Sequence, residues 1–189
     1  MNKDYELQRE EQNNNINNAL KEMEINFNAE FVPFSKSRNA KENPKIDDLS
    51  INWKVTISRG RSSLTTDYMQ GIGHLPNSIK PSAFKKMYVD QANNIKSACE
   101  TGKYPKANAN WILSKINPPT LTDVLYSLLM DSDVLNYGTF EEWAGEFGYE
   151  TDSRKAEKMY NECMKIALKM RAMFGDENIQ KLNELYQNF

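Results

Sequence analysis

Cysteine and histidine are scarce in this chain, and each scarcity removes a class of explanation. The two cysteines, Cys99 and Cys163, have no CxxC spacing and too few companions to build a disulfide framework. A reducing, cytoplasmic setting is therefore expected. His74 is the single histidine, and neither cysteine lies near it in sequence, so no zinc-type ligand set and no imidazole pair for acid–base work is legible. No metal and no cofactor is expected. Gly71-Ile72-Gly73 belongs to neither a P-loop nor a dinucleotide fingerprint; beside His74, Leu75 and Pro76 it reads as a turn that ends a strand rather than an anion cradle. Apolar runs are only a few residues long, far below the roughly 20 that cross a bilayer. The opening MNKDYELQREEQNNN places no apolar stretch behind a basic start, which predicts no secretory signal.

A local absence says more. Residues 116–153 contain no lysine or arginine, yet carry eight carboxylates: Asp123, Asp131, Asp133, Glu141, Glu142, Glu146, Glu150 and Asp152. The same stretch is dense in large apolar and aromatic residues, among them Leu125, Leu128, Leu129, Tyr137, Trp143, Phe147 and Tyr149. Such a segment is expected to pack its oily side inward and to present an anionic side outward. Charge is blocked elsewhere too: residues 1–30 hold three basic against seven acidic groups, residues 78–115 seven against two, and residues 154–174 six against two. Blocks of this kind either neutralise one another within the fold or steer a charged partner.

Residues 1–24 read as a polar extension, mobile over its first dozen residues, with a short helix marked by Ile16, Leu20 and Met23. From Ile25 the period shortens to two. Ile25, Phe27, Ala29 and Phe31 alternate with polar residues, as do Ile51, Trp53, Val55 and Ile57 after a polar loop over Ser35–Ser50. Arg59-Gly60-Arg61 reads as a tight turn into a third strand over Ser63–Met69. Ser82 is placed to cap a helix reaching about Cys99, ended by Gly102 and Pro105. Thr120 with Asp123, and Thr139 with Glu142, have the spacing of helix-start capping boxes. Thr151-Asp152-Ser153 opens the longest helix, whose core stripe is Ala156, Met159, Tyr160, Cys163, Ile166, Ala167, Met170 and Phe174; Gly175 ends it and Asp176 starts a last one.

The order of elements predicts an α+β fold: a three-stranded antiparallel meander over residues 25–76, an inserted helical segment over 77–117, and a layer of about four helices over 118–189, all in one domain after the extension.

Two sets of candidate site residues follow. Asp131, Asp133, Glu141, Glu142, Glu146 and Glu150 form a candidate acidic face, although helix capping and solvation also account for carboxylates at these positions. Lys54, Arg59, Arg61, Lys80, Lys85 and Lys86, interleaved with Trp53 and Tyr68, form a candidate nucleic-acid surface. The alternation places Trp53 with Ile51 and Val55, in the core, and a net charge of −2 works against tight phosphate binding. The methionines of the long helix (Met159, Met164, Met170, Met173) read first as core and second as a docking face for another copy.

Two pieces of the chain resemble a family of small proteins carried by bacteriophages and prophages. One is Trp53-Lys54-Val55-Thr56-Ile57 through Tyr68 to Gly71-Ile72-Gly73-His74. The other is Pro118-Pro119-Thr120, Asp123-Val124-Leu125-Tyr126-Ser127-Leu128-Leu129, Phe140-Glu141-Glu142-Trp143 and Phe147-Gly148-Tyr149-Glu150-Thr151-Asp152-Ser153-Arg154-Lys155-Ala156. The resemblance covers residues 51–76 and 117–175; residues 77–116 look like an insertion and 1–24 like an extension. It implies a phage context in a bacterial host's cytoplasm and carries over no catalytic residue. The expectation is a non-enzymatic protein that blocks a host factor through its acidic face, in concrete form an anti-CRISPR-like inhibitor of a nucleic-acid-handling defence effector. A nucleic-acid-binding accessory protein and a structural or regulatory homodimer are the alternatives.

Overall fold

The computed structural model describes residues 3–33, 49–91 and 95–187. It is an α+β fold, with three strands in the antiparallel order β1-β2-β3 and eight α-helices among the described residues. The strands are β1 (Asn26–Phe31), β2 (Leu49–Arg59) and β3 (Ser62–Gly73). Helix α1 (Lys3–Glu22) precedes them; α2 (Pro81–Gln91), α3 (Ile95–Glu100) and α4 (Lys106–Lys115) follow. After these come α5 (Leu121–Ser132), a 3-10 turn (Asp133–Asn136), α6 (Phe140–Glu146), α7 (Arg154–Phe174) and α8 (Asp176–Gln187). The loop expected over Ser35–Ser50 lies outside the described residues except for Leu49 and Ser50, which already belong to β2.

The chain forms two compact units. The first comprises Met1–Phe27, Thr56–Leu64 and Thr120–Phe189; the second comprises Asn28–Val55 and Thr65–Pro119. A single domain over 25–189, with residues 1–24 outside it, was the expectation. The N-terminal segment instead shares a unit with the C-terminal helices, because Ile16, Ala19, Leu20 and Met23 make one apolar stripe and all four are buried. Helix α1 packs on α8 and α5. It also starts far earlier than the short helix expected there, at Lys3.

In the second unit the period-two reading of β2 holds: Ile51, Trp53 and Val55 are buried while Lys54 is exposed. Asn52 departs from it, being only 4% exposed. Its backbone N–H donates to the Tyr88 hydroxyl at 3.0 Å, and its Oδ1 has no hydrogen-bond partner among the described residues. Burial pushes the Tyr88 hydroxyl up to about 12, since a buried phenolate would lose its solvation. Phe31 meets Trp53 and Tyr88 edge-on, and Phe84 stacks along Tyr88. The Trp53 indole is satisfied by Gln70 Oε1 at 3.1 Å.

Three local expectations need correction. Strand β3 does not stop before Gly71; Leu64 and Ile72 are both buried and in phase, so the alternation carries the strand on until Gly73, at φ +75°, turns the chain away. Ser82 is not the start of α2, because Pro81 occupies the first helical position, where its missing N–H costs nothing. Within the inserted helical segment only the helix from Ser82 was marked; α4 is a further one, preceded by Pro105, with Ala109 and Ile112 as a buried stripe only two residues deep.

Candidate partner-binding face

One buried cluster of the first unit is built around Trp143. Val134, Ala144, Ala156, Tyr160 and Ala167 are buried with it, and Met159, Cys163 and Met164 of α7 pack against it half-buried. Met170 and Met173 are buried as well, so two of the four methionines of α7 lie in the interior and two, Met159 and Met164, at its edge.

Helix α6 is short and owes its boundaries to both ends. At its start Thr139 Oγ1 accepts from the Glu142 backbone N–H at 3.2 Å, while Glu142 Oε2 accepts from the N–H groups of Thr139 at 3.2 Å and Gly138 at 2.8 Å. Its end is a Schellman closure. Tyr149 N–H donates to Ala144 O at 2.8 Å and Gly148 N–H to Gly145 O at 3.4 Å, with Gly148 at φ +70°. That closure folds Tyr149 back onto the helix, where its ring stacks on Trp143 with centroids 5.2 Å apart and planes at 13°. Phe147 lies against the other neighbours, 5.5 Å from Trp143 and 5.8 Å from Tyr137.

These two rings are held from below and open above. Trp143 is 7% exposed, but Phe147 is 52% and Tyr149 41% exposed. The block's apolar side was expected to face wholly inward; here, as at Tyr126 and Met130 of α5, part of it faces out. Carboxylates accompany the rings in sequence: Glu146, Glu150 and Asp152 are exposed, as is Glu141 one turn back. Among the described residues, no ion pair ties any of these four to a lysine or arginine. The last turn of α6 holds no basic residue.

The candidate acids therefore separate by task. Glu141, Glu146 and Glu150 point to solvent. Glu142 is occupied by capping, and Asp123 is likewise occupied at the start of α5, accepting from Thr120 N–H at 2.9 Å and from its hydroxyl at 2.7 Å. Asp131 and Asp133 lie outside the described side chains.

The basic candidates do not fall in one unit. Lys54, Lys80, Lys85 and Lys86 are exposed in the second unit, and Arg59 and Arg61 belong to the first. Arg59 has a structural partner: its Nη1 donates to Met173 O at 2.8 Å and Phe174 O at 3.4 Å, covering the carbonyl end of α7. Arg61 is exposed beside Gly60 in the hairpin turn. Arg59→Ala is expected to lower stability by about 1.5–3 kcal/mol, the range for hydrogen bonds from a charged donor, measured by urea denaturation. Arg61→Ala should shift it by less than about 0.5 kcal/mol.

His74 is exposed just beyond β3. Among the described residues no three His, Cys, Asp or Glu side chains converge to hold a metal ion, and no helix is long and apolar enough to cross a membrane. Comparison with known proteins finds no matching family, no matching curated protein and no matching solved structure.

Proposed function

We propose that this is a non-enzymatic binding protein that covers a basic surface of a partner with the face formed by α6 and the turn after it. The observation that carries this reading is the set of outward carboxylates at Glu141, Glu146, Glu150 and Asp152, which form no ion pair among the described residues and flank two exposed aromatic residues. Charged groups left uncompensated on a surface steer and select an oppositely charged partner. The phage resemblance makes a host factor the natural target. A nucleic-acid-handling defence effector, whose working groove is basic, fits best, so the concrete form of the proposal is an anti-CRISPR-like inhibitor acting in the host cytoplasm.

The test is reversal of Glu141, Glu146 and Glu150 to lysine, leaving the capping Glu142 in place. Capture of the partner from host lysate should fall more than about tenfold relative to the native chain, because like charges across an interface cost several kcal/mol. The circular dichroism spectrum should not change. Capture that survives the reversal would remove the acidic face from the mechanism. A gel shift with DNA or RNA at low salt, lost when Lys80, Lys85 and Lys86 become alanine, would favour the nucleic-acid alternative instead.

A further inference from the structure

We infer that the turn after α6 is an arginine receptor: the partner segment that lies on it presents guanidinium groups, and lysine does not serve equally. This rests on the proposed binding role and names the chemistry of the occupant.

Three features of one short segment combine. Phe147 and Tyr149 are both exposed residues, at 52% and 41%. Their orientation is fixed beforehand, by the Schellman hydrogen bond from Tyr149 N–H to Ala144 O at 2.8 Å and by contact with the buried Trp143. Glu146 precedes one ring and Glu150 follows the other, both exposed and neither in an ion pair among the described residues.

An aromatic face beside a carboxylate discriminates between the two basic side chains. A guanidinium is planar and weakly hydrated; it stacks on a ring while its edge donates to a carboxylate through two parallel N–H groups. An ammonium is compact and strongly hydrated, and gains little from the ring. A featureless acidic surface would respond only to charge and would treat both alike. Because the rings are already in place, little ordering is needed when the guanidinium arrives. Charge complementarity thus selects a basic occupant, and the rings select arginine within that class.

The experiment compares a short arginine-rich peptide with a lysine-rich peptide of equal length and charge. Each is titrated into the full chain at low salt and followed by isothermal titration calorimetry, a readout that the native chain and every variant share. The arginine peptide is expected to bind roughly threefold to tenfold more tightly. The preference should vanish in Phe147→Leu/Tyr149→Leu, and both peptides should weaken together in Glu146→Gln/Glu150→Gln. If the leucine variant does not fold, the two peptides on the native chain and on the glutamine variant still decide the matter. Equal binding of the two peptides, weakened by the glutamine changes, would overturn the arginine inference and leave a basic partner standing. Arginine preference that persists without the rings would overturn it as well. Absence of binding by either peptide would sink both this inference and the acidic-face reading.

Discussion

Trp143→Ala is expected to destabilise the first unit by about 3–5 kcal/mol, the range for truncating a large buried aromatic side chain. Trp143 is 7% exposed and touches the rings of Phe140, Phe147, Tyr149 and Tyr160. The small side chains around it, Ala144, Ala156 and Ala167, have no length with which to fill the space that alanine would leave. Domains of this size have only about 5–15 kcal/mol in total, so the loss is a large share. Urea denaturation followed by far-ultraviolet dichroism measures it, with Trp53 and Trp111 kept as reporters of the second unit. Binding should suffer beyond the loss of stability, since Tyr149 then has no indole to stack on. A change below about 1 kcal/mol would mean that the ring cluster contributes little to the stability of this unit.

The same residue shows what could be read from sequence and what could not. The capping boxes at Thr120/Asp123 and Thr139/Glu142, the stripe of α7 and the alternation of β2 were legible because each is a local rule with a fixed spacing. The outward placement of Phe147 and Tyr149 was not, because an aromatic residue in an oily block is inward by default. The signal was nonetheless present: Trp143, then Gly148 and Tyr149, has the spacing of a Schellman closure with its apolar contact back onto the helix. The structural contact of Arg59 was hidden for a related reason. Its role depends on the carbonyls of Met173 and Phe174, more than a hundred residues away, and no local pattern encodes that contact. Helix α4 escaped because its buried face is only Ala109 and Ile112, too little periodicity to stand out.

Deleting residues 1–24 should abolish the cooperative unfolding of the first unit, although composition alone marks the segment as a dispensable polar tail. Ile16 is fully buried and Leu20 is 2% exposed, with Met23 buried one turn on. Burial of three such side chains is worth about 5–9 kcal/mol, which is comparable with the whole stability of a domain. Polar contacts point the same way. Gln12 Nε2 donates to Leu185 O at 2.9 Å in the last turn of α8, and the Thr122 hydroxyl donates to Asn17 Oδ1 at 3.5 Å. Removing α1 would therefore expose the apolar faces of α5 and α8, and the truncated chain is expected to aggregate or to bind a hydrophobic dye. Leu20→Ala offers a graded version, with an expected loss of about 2–5 kcal/mol by denaturation. Lys181→Ala, which cuts only the exposed 3.3 Å pair with Glu22, should cost under about 1 kcal/mol. If the truncated chain unfolds with the native midpoint, α1 is an accessory and the first unit is complete without it. If Leu20→Ala and Lys181→Ala prove equal, the helix is held by its surface charge rather than by its buried stripe.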